Sequence, residues 1–200
     1  MPRTNITSYH RISRPGNVTY TFSGNKTTIV IPAASPWTSG LHWHENHTEY
    51  LQVIRGTAQV QLDNVVRLYT SIDGIVTVPR FARHEWQRAG DEEAVVEEWT
   101  DPGDGQKEIF FRNINGVILD CTKSGPPNEF WLSWQLFVIF HKMDNYPVVW
   151  SVSSGLLSRT IEWVVTHLLL WLAATAGRLI GLESRYEEYT PIDLMQKKLR

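Results

Sequence analysis

The stretch Gly40-Leu41-His42-Trp43-His44-Glu45-Asn46-His47-Thr48-Glu49-Tyr50-Leu51-Gln52-Val53-Ile54-Arg55-Gly56 decides how this chain is read. His42 and His44 stand two residues apart. On a strand, successive side chains alternate between faces, so both imidazoles point to one side and Trp43 to the other. Glu49 opens a β-prone run after a short turn, and its carboxylate can return to the same point in space. By the same alternation Leu51 and Val53 share its face, while Tyr50 and Gln52 face out. Gly56 permits a tight turn into the next run, Thr57–Leu62. Thirty-five residues after Glu49, His84 opens another β-prone run. Three imidazoles and one carboxylate suit Fe(II), Mn(II), Ni(II), Co(II) or Zn(II), and leave coordination positions open for water or substrate. His47, in the turn between His44 and Glu49, is expected to be exposed. His10, His141 and His167 are expected to lie away from the cluster.

Around this stretch the first half of the chain is β-prone. Val18–Phe22 and Thr27–Pro32 flank Ser23-Gly24-Asn25 as a hairpin. Further strands are expected at Glu49–Ile54, Ala58–Leu62, Val66–Thr70, Ile75–Val78, Arg83–Arg88, Ala94–Trp99 and Glu108–Phe111, punctuated by turn residues such as Asp63-Asn64 and Asp73-Gly74. Many short strands with no helical pattern between them point to a β sandwich or barrel. If His84 points inward, Trp86 and Arg88 do as well. Trp86 and Arg88 are therefore the candidate catalytic or substrate-contacting residues. Arg88 could grip a carboxylate, phenolate or enolate, or else pair at the rim with Glu97 or Glu98.

The character changes near residue 115. Pro126-Pro127-Asn128-Glu129 reads as a helix start, followed by an apolar run over Phe130–Phe140. Asp144-Asn145-Tyr146-Pro147 breaks it, and a second helical region spans Gly155–Leu182. Between Trp163 and Gly177 there is no acid, lysine or arginine. These helices are read first as a cap on the β core. An intermolecular interface and a membrane-surface hairpin are the other readings, the last because the helices are apolar nearly all round. The tail, residues 183–200, is polar and charged.

Composition narrows the classes. Two hundred residues hold one compact core plus an appended segment. A net charge of −2 offers no field for nucleic acid. The one cysteine, Cys121, can form no intramolecular disulfide. The first sixteen residues are polar and resemble no secretory or transit signal, so an intracellular, cytoplasmic location is expected, with membrane association as a variant. The Asn-x-Thr triplets at Asn5, Asn17, Asn25 and Asn46 then carry no glycan. Nine tryptophans are many for this length, and suit core packing, a pocket for a flat apolar ligand, or a membrane interface.

The decisive stretch resembles the first motif of the cupin superfamily: His-x-His, four residues, Glu, six residues, Gly, here His42, His44, Glu49 and Gly56. Gly74, Pro79 and His84 match the second motif, with Phe81 where Gly is expected, Arg88 where Asn is expected, and a gap one residue short. The resemblance implies a mainly β, single-domain cupin, a double-stranded β-helix or jelly-roll barrel with a C-terminal helical extension. The expected divisions are an arm and first strand over 1–25, the barrel over 26–115, and the extension with its tail over 116–200. It also implies one divalent metal ion, Fe2+ first and Zn2+, Mn2+ or Ni2+ next, held by His42, His44, Glu49 and His84. Because cupins commonly pair through outer strands, a homodimer is expected.

A looser likeness takes in Glu108-Ile109-Phe110-Phe111-Arg112-Asn113 and the Tyr186-x-x-Tyr189-x-Pro191 ending. These resemble small fungal cupins that accompany polyketide and other natural-product pathways. The implied function is a metal-dependent enzyme on a small apolar, aromatic or polyketide-like substrate. Oxygenase chemistry stands ahead of lyase, isomerase or cyclase chemistry. The alternative is a non-catalytic ligand-binding cupin whose helices dock to a partner or to a membrane through residues 130–182.

Overall fold

Residues 2–14, 16–123, 125–150 and 158–197 are described in the computed structural model. The β-branched and aromatic runs form strands where their composition predicts them. In chain order these are β1 (Arg11–Arg14), β2 (Val18–Ser23), β3 (Lys26–Ile31), β4 (His42–Trp43), β5 (Thr48–Arg55), β6 (Thr57–Leu62), β7 (Val65–Tyr69), β8 (Ile75–Val78), β9 (His84–Ala89) and β10 (Ala94–Asp101). The helices α1 (Gln106–Thr122) and α2 (Glu129–Phe140) follow, then the short β11 (Tyr146–Pro147), α3 (Ser158–Leu179) and α4 (Ile192–Met195).

The strands make two sheets, ordered β1-β2-β3-β10-β5-β8 and β11-β4-β9-β6-β7, and the strand pairings within them are antiparallel. No ladder joins one sheet to the other among the described residues, so the jelly roll is a two-layer sandwich rather than a hydrogen-bonded closed barrel. Their inner faces share one apolar core, in which Tyr20, Ile29, Ile31, Leu51, Val60 and Trp86 are all buried. Alternation along β5 is as expected: Glu49, Leu51 and Val53 are buried while Tyr50 and Gln52 are half-buried on the outer face. Tyr50 stacks there on Trp99.

Gly56 shows why the turn after β5 requires glycine. Its φ is +75°, and a Cβ there would lie 2.2 Å from the backbone oxygen of Glu93.

The expected strand Glu108–Phe111 is corrected: it lies inside α1. Ile-Phe-Phe is β-prone in isolation, but Ile109, Asn113, Gly116, Val117, Asp120 and Cys121 are buried at helical spacing. That periodicity over 17 residues outweighs the short apolar run. Gly105, at φ +86°, precedes the first turn. α2 begins as expected, with the Asn128 side chain accepting from the Trp131 backbone N–H at 3.0 Å. The second helical region begins at Ser158 among the described residues, and 155–157 lie outside them.

The tail is not simply a solvated segment. Tyr186 and Tyr189 are buried against α1. Tyr189 lies over Gly116, where a Cβ would meet its ring at 2.6 Å. Its hydroxyl donates to Asp120 at 2.6 Å, and the Asn113 side chain bonds the Tyr186 N–H and Thr190.

α3 packs on α2, with the Trp134 indole donating to the Ala173 carbonyl. Its opposite side is open: Ile161, Val164, Leu168, Trp171, Leu172 and Leu179 are exposed. The helix has 22 residues with a mean hydropathy of 1.2 over its most apolar window, of which 28% is buried. By length and composition it could cross a membrane.

Candidate metal centre

β4 and β9 pair so that His42 lies opposite His84, and β5 of the other sheet brings Glu49 up from below. His44 follows β4 by one residue. One donor atom from each of the four lies within 4.8 Å of the others, and all four residues are buried. The His42 and His84 rings are 4.1 Å apart, the His44 and His84 rings 5.1 Å.

Three backbone carbonyls orient the imidazoles. His42 Nδ1 faces Gly40 O at 2.7 Å, His84 Nδ1 faces Ala82 O at 3.2 Å, and His44 Nδ1 faces Asp144 O. A carbonyl can only accept, so each Nδ1 carries a proton and each Nε2 presents a lone pair. Yet His44 Nε2 lies 2.9 Å from Glu49 Oε2, and His84 Nε2 lies 3.1 Å from Glu49 Oε1. A lone pair facing a carboxylate oxygen at that distance is repulsive unless a proton or a metal ion lies between them.

His42 and His44 resist taking that proton. Burial, with the neighbouring His84 and His44, holds His42 well below its ordinary range. Burial also lowers His44, against the pull of Glu49. Burial would raise Glu49, but Lys107 and His84 outweigh it and keep the carboxylate ionised. A neutral His42 and His44 beside an ionised Glu49 are protonation states that suit a divalent ion. The donor set therefore fits a metal, and these four residues would hold it.

Two groups at the site escaped the sequence reading. Lys107, in the first turn of α1, reaches into the sandwich and ion-pairs with both Glu49 and Glu98. Glu98, on β10, is buried and also accepts from the Trp86 indole at 3.4 Å. Burial and the nearby Glu49 push Glu98 up to about 8, against the opposing pull of Lys107. Burial alone would lower Lys107, but the two carboxylates raise it. Nothing in the polar stretch Asp104-Gly105-Gln106-Lys107 marks that lysine as reaching into the sandwich.

His47 is corrected. It is buried, not exposed, with Nδ1 2.7 Å from Asp144 Oδ2 and Nε2 3.2 Å from Asp104 Oδ2. Asp144, just after α2, also accepts the backbone N–H groups of Glu45, Asn46 and His47 at 2.8, 2.9 and 2.9 Å. Burial would raise its carboxyl, but these donors, His47 foremost, hold it at about 2. The extension thus ties down the loop that carries His44 and Glu49.

Trp86 is buried on the inner face, edge-on to Trp37 at 5.0 Å. Arg88 lies at the far end of β9, where its guanidinium donates to the Gly90 and Glu92 carbonyls rather than pairing with Glu97 or Glu98. Beside the ligand cluster is a cavity of about 20 Å³, lined by His44, Gln106, Lys107, Phe110 and Met143 among others. That is room for about one water. His167 lies on the outer face of β4, stacked between Tyr146 and Trp163, with Glu45 accepting from the Trp163 indole.

Two facing antiparallel sheets, with the His-x-His hairpin on one side and Glu49 and His84 converging from both, settle the architecture. The fold is the two-sheet jelly roll that the cupin resemblance implies. No family model matches the sequence, and no curated protein does. Among solved structures, CapF with the inhibitor 3-isopropenyl-tropolone is 17% identical at a TM-score of 0.38, covering 44% of this chain and 29% of that one. The capsular polysaccharide assembling protein CapF from Staphylococcus aureus is 21% identical at 0.37, covering 46% and 27%. A mutant of Bacillus subtilis oxalate decarboxylase OxdC is 18% identical at 0.38, covering 46% and 27%. The chain thus spans under a third of the length of each.

Proposed function

We propose that this cupin is a metal-dependent enzyme acting on a small molecule that enters beside His44 and Lys107. The observation that carries the reading is the buried convergence of His42, His44 and His84 on Glu49, with one donor atom from each within 4.8 Å of the others. When bound, Fe(II) would supply dioxygen chemistry, and Zn(II), Mn(II) or Ni(II) Lewis-acid chemistry at an oxyanion. The residues of the chain do the rest. The Gly40, Ala82 and Asp144 carbonyls fix the imidazole tautomers, Asp144 holds the loop, and Phe110 and Met143 wall the cavity against bulk water. We place oxygenase chemistry on an aromatic or polyketide-like substrate first; a molecule of that size requires the wall formed by Phe110 and Met143 to open.

One observation favours a second reading. Lys107 already neutralises Glu49, so the cluster has a counter-cation of its own, as a non-catalytic binding cupin would need. Calorimetric titration with Fe(II), Mn(II), Co(II) and Zn(II) of the native chain and Glu49→Gln separates the two. The enzyme reading expects tight one-to-one binding of at least one ion, weakened at least tenfold in the variant. Absence of binding for every ion supports the second.

For partners, we propose that the open stripe of α3 is the contact surface, with a lipid surface as its occupant. The stripe between Arg159 and Arg178 has only Glu162 as a charge, and that residue is buried and paired with Arg83. Arg159 is engaged with Asp63 and the Phe81 carbonyl, which leaves Arg178 at the C-terminal end of the apolar face to suit anionic headgroups.

A further inference from the structure

We infer that the cavity where α2, α3 and the tail meet binds phosphate, as the phosphate group of a soluble ester or of a lipid headgroup. The cavity measures about 640 Å³, and no strand residue and no member of the metal cluster lines it. Lys142 follows α2, Arg178 sits in the last turn of α3, and Arg185 and Lys197 come from the tail; all four line it. None of the four has an ion-pair partner among the described residues, although the Arg185 guanidinium donates to the Lys197 carbonyl at 3.0 Å. Glu183 is the one acid among the described lining residues. This concentration of cations stands in a chain whose net charge is −2.

Cations beside helix C-termini ordinarily answer the negative end of the helix dipole. Here that demand is too small to absorb them. The Ile139 carbonyl of α2 already accepts the Lys142 and Met143 N–H groups, and the Gly177 carbonyl of α3 those of Ile180 and Leu182. Each helix end carries roughly half a negative charge. With Glu183, the two ends leave roughly two of the four positive charges unmatched. His141, which caps α2, also lines the cavity, and its Nδ1 is buried with no hydrogen-bond partner among the described residues. Burial first, then Lys142 and Arg178, hold that ring below its ordinary range, so it adds no charge of its own. A phosphate matches the excess. Its tetrahedral oxygens can accept from cations on three separate segments at once, and a guanidinium offers them forked donors. The apolar stripe of α3 ends beside Arg178 at the exposed Leu179, which gives a lipid a path to the same cavity.

The test uses the full chain, titrated calorimetrically with inorganic phosphate at low ionic strength and floated with phosphatidate or phosphatidylcholine vesicles. The key variant is Lys142→Gln/Arg178→Gln, at two exposed positions where the fold should be kept. Saturable phosphate binding is expected in the native chain, weakened at least tenfold in the variant, the loss expected when hydrogen bonds to charged groups are removed. Added salt should weaken it as well. Arg159→Gln, at the other end of α3, should leave it unchanged. Phosphate binding without flotation identifies a soluble ester. Flotation with phosphatidate alone, lost in the variant, identifies a lipid headgroup. Equal affinity and equal flotation in the native chain and the variant overturn the inference, and so does a native chain that binds neither probe. Flotation lost in Leu168→Glu/Leu172→Glu but kept in Lys142→Gln/Arg178→Gln, with no binding of free phosphate, overturns this site and leaves the apolar stripe as the lipid contact.

Discussion

Asp144 offers the sharpest prediction, because it joins the extension to the ligand loop. Its Oδ1 accepts the Glu45 N–H at 2.8 Å and the Asn46 side-chain amide at 3.2 Å. Its Oδ2 accepts the Asn46 and His47 N–H groups, each at 2.9 Å, and faces His47 Nδ1 at 2.7 Å. Asp144→Ala strands these donors in a buried place. Removing one partner of a buried charged network costs about 3–5 kcal/mol. For a chain of this size that is a fall in Tm of roughly 10 °C. Asp144→Asn keeps one acceptor oxygen and turns an amide donor toward the groups at the other. It should cost about 1–3 kcal/mol, the penalty for one buried donor left unmet. Because the loop carries His44 and Glu49, both variants should also weaken metal binding by roughly 10–100-fold. Differential scanning calorimetry and chelator competition measure the two effects. If Asp144→Ala binds metal as tightly as the native chain, the extension does not position the ligands and the reasoning fails.

Other predictions follow from single sites. Gly56→Ala should destabilise by at least about 2 kcal/mol, since its Cβ would overlap the Glu93 backbone oxygen at positive φ, and chemical denaturation would show it. Burial would raise Asp120, but Lys123, Thr4 and Tyr189 outweigh it and hold the carboxyl at about 2, below its ordinary 3.8. Its contribution is therefore complete above pH about 4 and lost as pH falls toward 2. Thermal melts across that window should show a steeper loss in the native chain than in Asp120→Asn, and parallel curves would refute the assignment. The α3 stripe predicts co-flotation with anionic vesicles that Leu168→Glu/Leu172→Glu abolishes; flotation unchanged by the variant would remove lipid as its occupant.

The sequence showed the four clustered residues and the inner faces, because both obey the two-residue period of a strand. His42, His44, Glu49 and His84 sit on or beside three strands, and that period carries their side chains into one interior. Leu51, Val53 and Trp86 follow the same rule. What the sequence hid depends on contacts distant along the chain. His47 reads as an exposed turn residue until Asp144, nearly a hundred positions later, folds against it. Lys107 reads as a solvated helix-start residue until α1 lays its first turn over the sandwich. Ile109-Phe110-Phe111 reads as a strand because its local propensity is strong, and only the burial pattern of the full helix overrides it. The tail reads as polar because its two anchoring tyrosines are scattered among charges.

The central claim is that His42, His44, Glu49 and His84 hold a divalent ion. Elemental analysis of the chain purified without added metal or chelator, beside His42→Ala/His84→Ala, tests it most directly. The account predicts near-stoichiometric metal in the native chain and none in the variant. A metal-free native chain that no divalent ion can reconstitute would contradict it.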